Sequence, residues 1–317
     1  MKCRAFLLAL IFHVCSVASL MAATDHARDS SLANGEYVAE INGIKLWYKV
    51  SGTGPVCLLP TPGWGPSSDL YFLRFTPLET TFTMIYLDTR GCGRSERPDL
   101  HAYSMRDLVA DLEGLRQHLG IDSMWLMGHS DGGPMILNYA CTHRDRVKGI
   151  ILIDAPAGTP GESKERVRRL QMRKGESWFD EAWKVFQTPP RSQKEFENYI
   201  NGILPFFFSS QKNLANSRDV FERTSVSFDA QQGRGLSDQS AADLAAILPT
   251  VKIPSLIIVG EDDFVCPPTS AAALHAMIPG SALVEINNAG HFPWLEEPKV
   301  FFESVHSFLQ GRLEGPK

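Results

Sequence analysis

Six short apolar runs, each closing on Gly, Pro or Asp, restrict the fold of this chain more than any other feature. They are "GPVCLLPTP", "FTMIYLDTRG", "SMWLMGHS", "VKGIILIDAP", "IPSLIIVGEDD" and "ALVEINNAGH". Such runs read as strands buried on both faces, because a strand with one wet face would alternate polar and apolar residues. Helical segments such as "SMRDLVADLEGLRQHLG" and "GPMILNYACTHRDRV" lie between several of them. Strand, helix and strand in succession predict a mostly parallel sheet with helices on both faces. A site in such a sheet is expected outside the carboxyl ends of the strands. Upstream, "YVAEINGIKLWYKVSG" reads as two strands joined at Asn42-Gly43, a pair suited to a tight hairpin turn.

The alternation stops after Asp154. Residues 158–248 hold charged and aromatic helical stretches without a convincing strand, and Trp178, Phe179, Trp183, Phe186, Phe196, Tyr199 and Phe206 to Phe208 are concentrated there. This segment reads as a helical lobe inserted after the sixth strand, between core segments 36–157 and 249–313. Most of its aromatics are expected to pack that lobe, and a minority to face a pocket beneath it. At the N-terminus, Lys2 and Arg4 precede the apolar stretch Phe6 to Val14, and "SVAS" and "MAAT" offer small-residue cleavage sites. Residues 1–23 therefore read as an export signal, predicting a periplasmic or secreted protein with no stable membrane insertion once the signal is removed.

The net charge of −5 supplies no basic face for nucleic acid. Outside the N-terminus, no apolar run approaches the roughly 18 residues of a membrane span. No CxxC or HExxH spacing appears, so no metal site is expected. Disulfides among Cys57, Cys92, Cys141 and Cys266 are left unassigned.

Chemistry enters at "LMGHSDGGP", residues 126–134. Ser130 follows an apolar run and precedes a helical one, with Gly128 and Gly132 flanking it as G-x-S-x-G. A sharp strand-to-helix turn exposes such a hydroxyl at the positive end of a helix and calls for small neighbours. A serine hydroxyl needs a base to take its proton. His291, in "VEINNAGHFPWLEEP", lies in a loop just past a strand, at the edge of the sheet where Ser130 is expected. His129 adjoins the serine, but consecutive residues in such a turn point apart, which favours packing or a backbone bond. The acid should follow another strand. Asp263 leads, in "GEDDFVCP", with Asp154 and Asp262 as alternatives.

In order and placement, Ser130, Asp263 and His291 resemble the triad of an α/β-hydrolase. "DTRGCGRS" (88–95), "GEDDFVCP" (260–267) and "AGHFPWLEEP" (289–298) are similar to proline iminopeptidases and related members. The resemblance covers residues 40 to 310 apart from the helical lobe, which it identifies as a cap. It implies that Asp88 and Arg90 brace a loop. Two features depart from it: Asp131 stands where those peptidases usually carry Trp, and "LLPTPGWGPSS" replaces an HGGPG-like oxyanion loop.

One oxyanion donor is expected at the Asp131 N–H. The second cannot come from Pro60, Pro62 or Pro66, which have no N–H. Alignment with the family's loop implies Trp64, with Gly63 or Thr61 as alternatives. Trp64, His129 and Phe292 are the candidate substrate-facing residues. The expected activity is cofactor-free hydrolysis of a small ester or amide, with a small molecule or short peptide as the partner. Proline iminopeptidase-like activity is the family-derived alternative, for which Glu181, Glu195, Glu197 and Glu222 are candidate ammonium ligands. C–C bond hydrolysis or non-catalytic ligand binding are further possibilities on the same fold.

Overall fold

The computed structural model describes residues 32–237, 248–250 and 252–313. The segment read as an export signal lies outside them. Eight strands form one sheet: β1 (Gly35–Ile41), β2 (Ile44–Gly52), β3 (Val56–Pro60), β4 (Thr83–Leu87), β5 (Met124–His129), β6 (Val147–Ile153), β7 (Ser255–Gly260) and β8 (Ala282–Ile286). Their spatial order is β1-β2-β4-β3-β5-β6-β7-β8. The pairings β1–β2 and β2–β4 are antiparallel, and every later pairing is parallel. The six apolar runs became β3 to β8. The hairpin turns at Asn42 and Gly43, with φ of 52° and 77°, the left-handed pair that a two-residue hairpin turn requires.

Alternate residues of the central strands feed two cores. Leu58, Leu126, Ile150 and Leu152 join one, packed beneath α1 (Met105–His118) and α2 (Gly132–Thr142). Cys57, Leu59, Trp125, Met127, Ile151 and Ile153 join the other, as the two-residue period of a strand dictates. Helix α1 begins at a reciprocal cap in which Ser104 and Asp107 each bond the other's backbone N–H. Cys57, Cys92, Cys141 and Cys266 are all free thiols.

Between β6 and β7, the described residues form helices α3 (Glu162–Met172), α4 (Phe179–Phe186), α5 (Gln193–Phe207), α6 (Gln211–Arg223) and α7 (Phe228–Leu236). Ser192, Ser210 and Ser227 cap the last three through side-chain bonds to backbone N–H groups, each worth about 1 kcal/mol. Phe179, Ile203 and Phe206 pack this lobe with Phe264 of the β7 loop. The seam to the sheet is partly apolar, with Leu204, Phe208, Leu214 and Val220 packed against Phe292 and Trp294, and partly hydrogen-bonded. His291 N–H donates to the Phe207 carbonyl at 2.8 Å, and Ser67 N–H to Ser225 at 2.8 Å. Glu296 accepts from Gly290 N–H, Ser209 N–H and Ser209 Oγ, each at 2.7 Å. Helices α8 (Pro268–Met277) and α9 (Pro298–Leu309) complete the faces. No described helix is long and apolar enough to cross a membrane.

Candidate active site

β5 delivers Ser130 to a turn that leads at once into α2. Ser130 has φ of 52°, a left-handed conformation that non-glycine residues adopt rarely and at a cost. The turn is held by Ser130 N–H to the Ile153 carbonyl and Gly133 N–H to the Ser130 carbonyl, both 2.9 Å. The two glycines of G-x-S-x-G are not equivalent. A Cβ at Gly128 would lie 2.6 Å from the Gly132 carbonyl oxygen, whereas one at Gly132 would meet only Pro60 O at 3.6 Å. The second close approach falls on Gly133, where a Cβ would lie 2.4 Å from Ala155 Cβ. Crowding at Gly132, expected from the motif, is thus displaced by one residue, because α2 turns its Gly133 face onto the end of β6.

His291, in the loop after β8, is 1 % exposed. Its Nδ1 lies 2.8 Å from Asp263 Oδ2, and Asp263 Oδ1 accepts from Val265 N–H at 2.7 Å. Of the three candidate acids, Asp263 is the one joined to His291. Asp262 is exposed. Asp154, fully buried after β6 with φ of 44°, accepts Gly260 N–H at 2.8 Å through Oδ1, while Oδ2 has no donor. Burial first, then the neighbouring Asp263 carboxylate, pushes the Asp154 carboxyl well above its usual range. A proton on Oδ2 satisfies that orphaned oxygen and turns it into a donor toward Asp263.

A carboxyl whose pKa rises on folding favours the folded state fully below its unfolded value, near 4, and loses that contribution as pH climbs toward the folded value. Asp154→Asn keeps the acceptor for Gly260 and is neutral at every pH. The variant is expected to match the parent in melting temperature near pH 4 and to exceed it increasingly toward pH 8. A pH-independent difference would refute this.

Asp263, Cys266 and His291 are the one described trio close enough to share a metal ion. They fit that role poorly: His291 and Asp263 already bond each other, and burial holds the Cys266 thiol well above its usual pKa.

Ser130, His291, Trp64, Phe196, Tyr199, Ile200, Phe207, Gln231 and Val265 line a cavity of about 220 Å³. Three cap aromatics thus face it, while Phe179, Phe186 and Phe206 pack within the lobe. His129 and Phe292, candidates for contact with substrate, are corrected by the structure. His129 is 0 % exposed, with Nε2 3.0 Å from the His291 carbonyl and Nδ1 3.1 Å from Tyr71 Oη. Burial drives the ring's pKa well below its ordinary value, and of the two neutral tautomers only the one protonated at Nε2 satisfies both contacts. Phe292, 1 % exposed, packs among Phe207, Phe208, Phe221 and Trp294. The two rings pack on each other and on Trp294 rather than into the cavity.

Around the oxyanion position, Thr61 N–H donates to Leu87 at 2.9 Å, which removes it as a donor. No bond from Gly63, Trp64 or Asp131 N–H to another described residue is formed. The Asp131 carboxylate meets Arg234 Nη2 at 2.8 and 3.1 Å, a contact that the sequence did not suggest. Asp88 accepts from Ser68 N–H, Ser68 Oγ and Arg94. Arg90 forks onto Asp111 at 2.7 and 2.8 Å. The two therefore brace their loops.

A serine on a strained strand-to-helix turn, with a histidine–carboxylate pair on neighbouring strand ends, defines a hydrolase built on a mostly parallel sheet. The chain belongs to the alpha/beta hydrolase fold family, whose model matches residues 55–298. It is 26 % identical over 292 residues to a proline iminopeptidase of Thermoplasma volcanium, covering 86 % of this chain and 96 % of that protein. It is 27 % identical over 290 residues to one of Saccharolobus solfataricus, covering 85 % and 90 %. A thermophilic esterase from Thermogutta terrifontis superposes with a TM-score of 0.67 at 25 % identity, covering 88 % of this chain and 100 % of that one. The enol-lactonase of Burkholderia xenovorans LB400 gives the same score and identity, covering 86 % and 100 %.

Proposed function

We propose that the chain is a serine hydrolase acting on small, largely apolar esters through Ser130, His291 and Asp263. The observation that carries this reading is the cavity itself: Ser130 and His291 meet there under an otherwise mostly apolar wall. Asp263 holds His291 Nδ1, leaving Nε2 to take the Ser130 proton as Oγ bonds to the carbonyl carbon. The C=O electron pair moves onto oxygen, which the N–H groups of Asp131 and Trp64 receive. Collapse expels the leaving group with the proton from His291, and water then repeats the sequence to free the acid. The structure forms no bond between Ser130 Oγ and His291, a contact that commonly tightens only with substrate. Export through residues 1–23 belongs to the same proposal.

Aminopeptidase activity is the second reading, favoured by the names of the relatives. It needs a carboxylate for the substrate ammonium, and among the described residues no carboxylate lines the Ser130 cavity. Glu197 and Glu222 border the adjoining one, which shares Trp64 and Ile200 with it, while Glu181 and Glu195 line a third. A panel of short-chain aryl esters and prolyl-arylamides separates the readings. Ester kcat/KM at least about 100-fold above arylamide kcat/KM is expected, a gap of nearly 3 kcal/mol at the transition state. The reverse order would overturn the ester reading.

A further inference from the structure

Asp131 poses an electrostatic problem. Its N–H is positioned to stabilise a developing oxyanion, yet its side chain carries a negative charge at the same residue. A carboxylate that close to an alkoxide opposes the stabilisation its own backbone provides, and weak screening beneath the cap strengthens the opposition. Arg234, near the end of α7, answers that charge. Its Nη2 contacts both Asp131 oxygens, and its Nη1 reaches the Tyr103 carbonyl at 3.4 Å. The Arg234 side chain is 12 % exposed and that of Asp131 34 %.

The Arg234 side chain also lies close against the oxyanion loop. A Cβ added at Gly63 would stand 2.7 Å from Arg234 Nε and 3.3 Å from Asp131 Oδ2. One cap side chain therefore touches both backbone segments that border the oxyanion position, Gly63-Trp64 on one side and Asp131 on the other. Gln231, three residues earlier on α7, lines the Ser130 cavity, so this end of the helix sits at the rim of the site.

We propose that Arg234 is a positioning residue of the hydrolytic site: it neutralises Asp131 and pins the oxyanion loop, making the cap an electrostatic part of the oxyanion hole. The proposal rests on Ser130 being the nucleophile. It assigns Arg234 no contact with substrate, since the side chain is held by Asp131.

A double-mutant cycle on R234Q and D131N tests it, read by two rates: ester turnover, and phosphonylation of Ser130 by a fluorophosphonate, which needs no knowledge of the natural substrate. R234Q leaves the carboxylate uncompensated. It is expected to lower kcat and the phosphonylation rate about 30-fold with KM changed less than about 3-fold, less than the roughly 10²- to 10³-fold that loss of an oxyanion donor costs, because both donors remain. Adding D131N removes the repelling charge, so its effect in the R234Q background should be at least about 5-fold more favourable than in the parent. A purely structural clamp gives no such rescue, and coupling below that level overturns the proposal. If R234Q does not fold, judged by its thermal melt, the D131N/R234Q variant is compared with R234K. Rates within about 5-fold of one another support charge compensation, and a slower double variant overturns it. Failure of the parent to label at Ser130 would overturn the underlying reading, whereas labelling at a rate indifferent to R234Q overturns this proposal alone.

Discussion

Replacing Ser130 by Ala is expected to lower ester kcat by about 10⁴-fold or more and to abolish fluorophosphonate labelling. In the proposed mechanism no acyl-enzyme forms without Oγ, and the remaining groups can only polarise a carbonyl for attack by water. The fold should survive, because Ser130 is held by its backbone bonds to Ile153 and Gly133 and Ala occupies less volume. Ala inherits the strained φ of 52°. A companion Ser130→Gly variant relieves it and should melt higher than Ser130→Ala by the equivalent of about 1 kcal/mol. Activity-probe gels and calorimetry on the two variants check both statements. Retained labelling in either would end the assignment of Ser130.

Asp263→Asn is expected to cost about 10³- to 10⁴-fold in kcat with little change in KM. Asp263 Oδ2 accepts from His291 Nδ1, which in the proposed mechanism keeps the proton on that nitrogen and stabilises the imidazolium formed as Ser130 attacks. An amide offers no charge and can present an N–H to the ring, reversing the tautomer. Asp154→Asn, beside it, should cost far less, since Asp154 bonds Gly260 and not His291. Steady-state kinetics on the two variants decide between the carboxylates. A larger loss at Asp154 than at Asp263 would move the acid to β6.

Much of the fold was legible because it depends on local pattern. Apolar runs of strand length, turn residues at their ends and the Asn42-Gly43 pair are short-range signals, and β1 to β8 follow them closely. Ser130, Asp263 and His291 each sit just past a strand end, and the sheet order gathers those ends on one edge. β5, β6 and β7 are successive neighbours and β8 follows, so loops distant in sequence reach one cavity.

What failed were statements about direction. Phe292 and His129, counted as substrate-facing, are buried away from the cavity, whereas the competing expectation for His129, packing or a backbone bond, is met at the His291 carbonyl. Crowding assigned to Gly132 belongs to Gly133, because the rotation of α2 against Ala155 is set by packing of the whole helix.

The sequence by itself determined the strand and helix succession, the hairpin, the inserted helical lobe and the positions where serine, histidine and carboxylates could meet. These rest on periodicities of two and 3.6 residues and on the conformational limits of Gly, Pro and Asn, which act within a few residues. Only the tertiary structure decided which carboxylate reaches His291, which cap aromatics face Ser130, and that Asp131 is answered by Arg234. Those pairings join residues 28 and 103 positions apart. The first is set by the pairing of β7 with β8 and the second by how the inserted helices pack on the sheet, and no local preference of either partner encodes that choice.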